Sequence, residues 1–92
     1  MALEFEWDPA KARGNVRKHG VSFEEAATVF GDPLSVTIGD PLHSTDEQRF
    51  IIAGRSRQGR IIVVAHVDRG HRLRIISARP ATRREKRKYE ET

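Results

Sequence analysis

The chain has no cysteine among its 92 residues, which excludes disulfides, thiolate zinc sites and cysteine nucleophiles. It also has no apolar run near the ~18–20 residues needed to span a bilayer. Its first residues, Met1–Asp8, lack the basic start and long apolar stretch of a secretion signal. Hydrophobic residues make up only 37% of the sequence, which is enough for one small core. We therefore expect a single soluble domain over residues 1–92, cytoplasmic and without membrane attachment.

Charge is divided unevenly along the chain. Residues 1–48 carry 4 Lys/Arg against 9 Asp/Glu, whereas residues 49–92 carry 13 against 4. The net charges of the two halves are therefore −5 and +9. A small domain with so many arginines in one half is expected to contact phosphate groups or a strongly acidic partner.

The first third of the sequence predicts a short strand followed by two helices. Leu3–Trp7 alternates apolar and acidic residues, as a strand with one solvent-exposed face does. Asp8-Pro9 favours the start of a helix, which should end at Gly20. Ser22–Glu25 has the pattern of a capping box and predicts the start of the second helix.

From residue 34 onward the apolar period changes to two, which indicates strands. Asp40–Gln48 is polar and acidic, and predicts a mobile loop. Thr82–Glu85 is a second capping-box pattern, opening a last helix that ends near Tyr89. The sequence therefore predicts an α+β fold, in which two N-terminal helices cover one face of an antiparallel sheet and a short helix closes the chain. The four strands predicted after the helices are Leu34–Ile38, Arg49–Gly54, Arg60–Val67 and Arg72–Ala78.

The last two of these strands form the strongest predicted hairpin. Asp68-Arg69-Gly70 suits a three-residue loop. That register places His66 opposite Arg72 and on the same face as Arg74. A loop one residue shorter or longer would shift the pairing and move both arginines away from the histidine, so the grouping depends on the register.

A histidine beside two arginines would suit the cleavage of RNA. The reaction needs a base for the 2′-hydroxyl proton, cations that stabilise charge on phosphorus, and an acid for the leaving oxygen. Histidine can be the base or the acid near neutral pH, and arginine binds phosphate with paired donors. The alternative is that His66 is a half-buried strand residue and that the arginines only keep the sheet face soluble.

Other candidates surround this hairpin. Arg49 can join a phosphate-binding face, or can be a charge at a strand end. Tyr89 can stack on a base or donate a proton, or can anchor the last helix to the sheet. The four histidines are scattered and no acidic cluster accompanies them, so we expect neither a metal site nor a cofactor. A basic strip that suits RNA or an acidic partner comprises Arg79, Arg83, Arg84, Lys86, Arg87 and Lys88.

Six segments follow one another along the chain with little gap: Phe5–Lys11, Asn15–Ala26, Phe30–Pro33, Arg49–Arg55, Arg74–Glu85 and Tyr89-Glu90. Trp7-Asp8 alone would be a weak motif, but the combination of all six is specific. On these segments the chain resembles the BrnT family of toxins.

The resemblance implies a RelE-like fold and a ribonuclease toxin of a bacterial type II toxin–antitoxin system. It also implies a cognate antitoxin, BrnA in this family, which carries a ribbon-helix-helix part. The complex of the two represses its own operon, so operator DNA would be bound only through the antitoxin complex. RelE-like toxins cleave RNA without a metal ion, using side chains on the sheet and the last helix. The resemblance therefore favours catalytic roles for His66, Arg74 and Arg79, and adds Arg72, Arg49 and Tyr89 as candidates.

Two functional hypotheses follow. In the first, the chain is a metal-independent RNA endonuclease with His66 as general base or acid. Arg74 and Arg79 would stabilise the phosphorane, and Arg49 and Arg72 would bind phosphate. In the second, the chain is a non-catalytic module that binds nucleic acid or the antitoxin as a co-repressor subunit.

Overall fold

The structure, a computed structural model, describes residues 3–40 and 48–91. Its elements are β1 (Glu4–Glu6), α1 (Pro9–His19), α2 (Phe23–Thr28) continued by a 3-10 turn (Val29–Gly31), β2 (Val36–Gly39), β3 (Arg49–Arg55), β4 (Ile61–Arg69), β5 (Arg72–Pro80) and α3 (Arg83–Glu90). The predicted α+β class is confirmed. The predicted loop Asp40–Gln48 lies outside the described residues, apart from its two ends.

The strands form one sheet in the order β1-β5-β4-β3-β2. Successive strands from β2 to β5 pair antiparallel, as the sequence predicts. The first strand, β1, instead pairs parallel with β5. The sheet is therefore mixed, because the two helices between β1 and β2 carry the chain across the sheet before the antiparallel part begins.

Side-chain caps explain why the first two helices begin and end where they do. Asp8 accepts a hydrogen bond from the backbone N–H of Ala10 at 2.8 Å, and Gly20 ends α1 in the left-handed region with φ 70°. Ser22 accepts a hydrogen bond from the N–H of Glu25 at 3.0 Å. The carboxylate of Glu25 does not complete the capping box; it binds the side chains of Ser56 and Arg60 instead.

One face of the sheet is covered by α1 and α2. Asn15 of α1 is buried against β5, where its side chain donates to the carbonyl of Ala78 at 2.8 Å and accepts from the N–H of Ala78 at 3.1 Å. A second donation, to the carbonyl of Val21 at 2.9 Å, ties the same amide to the segment before α2. The core beneath these helices contains Val21, Phe23, Ala26, Val29, Ile52, Ile62, Val64, Ile75 and Ala78.

Among the described elements, α3 is the one helix that packs on the opposite face of the sheet, which we call the open face, and it covers one end of it. There α3 packs in a smaller cluster with the sheet, made by Ile61, Val63, Ala81 and Tyr89. Toward the β4–β5 hairpin, no helix of the described residues lies over this face. The sequence prediction that the two N-terminal helices leave one face available for function agrees with this arrangement.

The β4–β5 hairpin has a different register from the predicted one. Arg69 pairs with Arg72, which leaves a two-residue loop in which Gly70 has φ 66°. Glycine in the left-handed region permits a two-residue loop, one of the favoured hairpin connections, so the predicted three-residue loop is wrong. His66 consequently pairs with Ile75 and not with Arg72.

Further along the hairpin, a β-bulge adds one residue to β5 and changes the register of its pairing with β4. Ala65 pairs with Ser77 and His66 with Ile75, so Ile76 is an extra residue on β5. Before the bulge, the side chains of Arg72 and Arg74 lie on the open face and that of Ile75 faces the helices. After the bulge, Ser77 and Arg79 are again on the open face.

Candidate functional site

Arginine side chains from neighbouring strands meet on the open face near the hairpin. The pairing aligns Arg49 of β3, Val67 of β4, Arg74 of β5 and Glu6 of β1 in one cross-strand row. Since adjacent strands are ~4.8 Å apart, the Cα atoms of the two arginines are about 10 Å apart on either side of Val67. This spacing would let two guanidinium groups approach one phosphate from opposite sides.

We call this cross-strand row the arginine row, and carboxylates of β1 lie beside its arginines. Arg74 donates from Nη1 to Oε2 of Glu6 at 3.0 Å. Arg72 lies 3.7 Å from Glu6 and 3.7 Å from Glu4, measured from guanidinium nitrogen to carboxylate oxygen. The result is a surface cluster in which positive and negative groups alternate, so an incoming phosphate competes with Glu6 for the same donors.

Glu6 is a functional candidate that the sequence pattern alone did not indicate. The alternation of Leu3–Trp7 correctly places Glu4 and Glu6 on one exposed strand face. What it did not reveal is that this strand pairs parallel with β5, which brings its acidic face beside Arg72 and Arg74. The alternating charges of the two strands, acidic in one and basic in the other, were the available signal for the pairing.

Arg79 lies on the open face but apart from the arginine row, beyond the bulge. Its guanidinium makes two hydrogen bonds to Glu85 of α3, at 2.8 and 2.9 Å. The guanidinium of Arg79 lowers the pKa of Glu85 to about 2. The same hydrogen bonds raise the pKa of Arg79 itself. The pair fastens the end of β5 to the start of α3.

Tyr89 is buried at the end of α3, and its hydroxyl donates to the carboxylate of Asp32. That carboxylate also accepts the backbone N–H groups of Arg55 and Leu34, at 2.7 and 2.9 Å. The hydrogen bond to Asp32 raises the pKa of the Tyr89 hydroxyl. These contacts anchor the end of α3, which is one of the two roles that the sequence predicted for Tyr89.

His66 lies on the helix-covered side of the sheet, away from the arginine row, so its predicted pairing with Arg72 is wrong. Its side chain is only 5% exposed. The ring stacks on Phe50 at 5.7 Å between centroids and meets Phe30 edge-on at 4.9 Å. Within the described residues, neither ring nitrogen makes a hydrogen bond, although Nδ1 lies 3.5 Å from a carboxylate oxygen of Asp68.

Burial lowers the pKa of His66 below its usual 6.5, and the nearby Asp68 offsets part of that effect. The imidazole is therefore neutral in the folded protein at neutral pH. Its position favours a packing role, because the reactive part of a substrate on the open face would be separated from it by the sheet. Its catalytic role remains a prediction.

Some residues of the sequence motifs stabilise the fold. Glu25 is buried and accepts hydrogen bonds from Ser56 at 2.8 Å and from Nε of Arg60 at 3.0 Å. These bonds, led by that from Arg60, lower the pKa of Glu25. The guanidinium of Arg60 also donates to the carbonyl of Gly20 at 3.0 Å. The network joins the end of α1 and the start of α2 to the β3–β4 turn.

Residues 3–40 and 48–91 contain no cluster of three or more His, Cys, Asp or Glu side chains that could hold a metal ion. In the same part of the chain, no helix is long and apolar enough to span a membrane.

Comparison with known proteins adds a family to this geometry. Among solved structures, the chain is similar to the Brucella abortus ribonuclease toxin BrnT, determined at 1.1 Å. The TM-score is 0.65 and the identity 24%, over 89% of this chain and 100% of that one. At that identity the likeness shows a shared fold. Comparison with curated proteins gave no match. The family profile described as "Ribonuclease toxin, BrnT, of type II toxin-antitoxin system" matches residues 7–85. Because this match spans most of the sequence, the chain belongs to the BrnT family of ribonuclease toxins.

Proposed function

We propose that this chain is a metal-independent RNA endonuclease whose reaction takes place at the arginine row of the open face. The observation that carries the proposal is the alignment of Arg49, Arg74 and Glu6 on a sheet face that α1 and α2 leave uncovered. In the bacterial cytoplasm its cleavage of RNA would inhibit translation. A BrnA-like antitoxin with a ribbon-helix-helix part would neutralise it, and would carry the complex to operator DNA.

The arrangement offers a base and two cations for a 2′-hydroxyl attack, and solvent supplies the acid. Glu6 accepts the 2′-hydroxyl proton, the 2′-oxygen bonds to phosphorus, and the bond from phosphorus to the 5′-oxygen breaks. The departing oxygen takes a proton from water, and the hydroxide formed takes the proton held by Glu6, which leaves a 2′,3′-cyclic phosphate and a 5′-hydroxyl. Arg49 and Arg74 stabilise the charge that develops on the phosphoryl oxygens, because fixed guanidinium donors act most strongly where charge increases.

The remaining candidates take supporting positions in this proposal. Arg72, next to the row on β5, would bind the phosphate of a neighbouring nucleotide. Arg79, which binds Glu85 of α3, and Tyr89, which belongs to α3, would position that helix beside the RNA. His66 would stabilise the sheet beneath the row. Its predicted role as base or acid passes to Glu6, because the Glu6 carboxylate lies on the face that carries the arginines and the His66 imidazole does not.

The test is cleavage of a labelled RNA by the purified chain in excess EDTA. We expect Arg74→Gln and Glu6→Gln to lower the rate by about 10²-fold or more, the size typical of losing one oxyanion donor or a general base. Arg13→Gln is the matched control, since it removes an exposed charge from α1 on the other side of the molecule. Circular dichroism would verify the fold of each variant.

The outcomes separate the possible assignments. If Arg74→Gln and Glu6→Gln cleave like the wild type, the proposed site is wrong. If His66→Phe alone abolishes cleavage in a folded protein, His66 and not Glu6 carries the proton. If the wild type cleaves only in a translating extract, its substrate is RNA on the ribosome. No cleavage in either assay would favour the non-catalytic co-repressor.

A further inference from the structure

Besides the arginine row, the open face carries an aliphatic groove. Its floor is formed by side chains of β2, β3 and β4, and its wall by one side of α3, enclosing about 330 Å³. Side chains of β2 are the most exposed part: Val36 is 45% exposed and Ile38 60% exposed. The lining residues are Val36, Ile38, Ile51, Ala53, Val63, Glu85, Lys88 and Tyr89.

Exposed aliphatic residues are concentrated at this place. In the described part of the chain, five large hydrophobic side chains are highly exposed, and three of them, Leu34, Val36 and Ile38, follow one another at every second position along the same chain segment. Single exposed hydrophobics need no explanation, whereas a contiguous group beside a groove indicates a binding surface.

The strand that carries this group is also the edge of the sheet. Within residues 3–40 and 48–91, β2 pairs only with β3, and all four of its residues are exposed. Its sequence, Val-Thr-Ile-Gly, has no charged residue or proline, which are the usual protections of an edge strand. The backbone groups on its outer side are placed to pair with an added strand, and the groove beside it would take every second side chain of that strand.

The charges around the groove favour an acidic occupant. Lys88 lines the groove directly. The other charged lining residue, Glu85, already binds Arg79 and the backbone N–H of Thr82. A second copy of this chain would contribute its own uncharged β2 and leave Lys88 unmatched. A segment with alternating aliphatic residues and carboxylates matches both the groove and its rim.

We propose that the groove binds an extended acidic–aliphatic segment of the cognate antitoxin, which adds as a strand to the free edge of β2. This inference rests on the proposed function in taking the antitoxin as the partner. Arg49 lies two residues before Ile51 on the same face of β3. A segment in the groove therefore ends next to the arginine row, so binding there would also obstruct RNA.

The test measures the affinity of the purified chain for its cognate antitoxin by calorimetry. Ile38→Glu and Val36→Glu place a carboxylate in the groove, and we expect each to weaken binding about tenfold or more. Val16→Glu is the matched control, because Val16 is 48% exposed but lies on α1. It should change the affinity by less than about twofold. Lys88→Glu should also weaken binding, through repulsion of the acidic segment.

Hydrogen exchange supplies a readout of strand addition. In the complex, those amides of Val36–Gly39 that point away from β3 should exchange more slowly than in the free chain, because the added strand supplies their carbonyl partners. Unchanged exchange there, or wild-type affinity in both β2 variants, would overturn the proposal. So would a homodimer that Ile38→Glu dissociates, since a second copy would then occupy the groove.

RNA cleavage by the free variants distinguishes this inference from the proposed function. Ile38→Glu and Val36→Glu lie outside the arginine row, so we expect them to cleave RNA at the wild-type rate. Wild-type cleavage with unaltered antitoxin binding would reject the groove alone. If the wild type neither cleaves RNA nor binds the antitoxin, the proposed function and this inference both fail.

Discussion

Residues of one type have very different surroundings in this protein, and those surroundings decide what each can do. Arg60 is held by the buried Glu25, and Arg79 by Glu85. Within the described residues, the carboxylate that pairs with Arg74 is that of Glu6, which is partly exposed. The sequence identified the arginines as a group, but periodicity alone could not distinguish those that hold the fold together from those on the open face.

His66 shows the same point for a titratable group. The sequence correctly selected it as unusual, because a histidine within a run of β-branched residues must be either buried or functional. Whether His66 shares a face of the sheet with the arginines depended on the length of the hairpin loop, which Asp68-Arg69-Gly70 did not determine. With one residue fewer in the loop, the ring meets Phe30 and Phe50 in place of the arginines.

The buried position of His66 predicts how stability depends on pH. Its pKa is lowered in the folded chain from 6.5, so the unfolded chain binds the proton first as the pH falls. The stabilising contribution is complete above 6.5 and is lost as the pH falls through the lower pKa of the folded state. We therefore expect urea denaturation at about pH 7.5 and about pH 5.5 to show a larger loss of unfolding free energy for the wild type than for His66→Phe.

His71→Phe provides the control for that experiment, because His71 is exposed in the hairpin loop. It should keep the wild-type difference between the two pH values. Equal pH dependence in the wild type and in His66→Phe would contradict the buried, neutral histidine.

Among the helices and strands, α3 is stabilised least by a hydrophobic core and most by hydrogen bonds at its start. Only Tyr89 of the helix is buried. Thr82 accepts a hydrogen bond from the N–H of Glu85 at 3.2 Å, and Glu85 accepts one from the N–H of Thr82 at 2.8 Å. The sequence pattern predicted this capping box correctly, because both partners lie within four residues. The pairing of Glu85 with Arg79 on a neighbouring strand was not contained in the local pattern.

We expect Glu85→Gln to lower the free energy of unfolding by about 1 kcal/mol at neutral pH, the usual size of a lost cap. An uncharged amide can still accept a hydrogen bond, but it loses the charge that favours both Arg79 and the helix N-terminus. The pKa of Glu85 is lowered from 4.5 to about 2. The stabilising charge is thus present above 4.5 and is lost as the pH falls toward about 2.

The measurement is urea denaturation of the wild type, Glu85→Gln and Glu90→Gln at neutral pH. Glu90 lies at the other end of α3, where a negative charge does not favour the helix dipole. Glu90→Gln should be neutral or slightly stabilising. A similar loss in both variants would mean that the change in net charge, and not the cap, determines the effect.

At the scale of the whole molecule, the two halves of the sequence supply opposite charges to one surface. The acidic first half contributes β1, whose Glu4 and Glu6 lie beside Arg72 and Arg74 of the basic second half. The charge imbalance correctly predicted a cationic surface. It could not predict that part of this surface is neutralised within the molecule, since that depends on the parallel pairing of strands about 70 residues apart.

The exposed cations of α3 should contribute to RNA binding without sequence preference. For single strands, the logarithm of affinity falls with the logarithm of salt concentration with a slope of about −0.7 per phosphate contact. Replacing Arg83, Arg84 and Arg87 by glutamine should therefore weaken binding and reduce that slope by up to about 2 units. Fluorescence anisotropy with a short labelled RNA at several salt concentrations would measure both.

A matched variant removes the same number of charges from the other side of the molecule. It replaces Lys11, Arg13 and Arg17 of α1 by glutamine, and should leave the salt slope nearly unchanged. If both triple variants reduce the slope equally, net charge governs binding and the open face has no special part in it.

The single extra residue in β5 has a consequence for how this protein can vary in length. If Ile76 were deleted, Ile75 and Ser77 would become neighbours and could keep their partners His66 and Ala65 in a regular ladder. Arg72 and Arg74 would then stay on the open face, and Ile75 would stay on the helix-covered side. Homologues that are one residue shorter in this strand should therefore lack the bulge and keep the arginines in place, so a difference in length is expected at Ile76 sooner than at its paired neighbours.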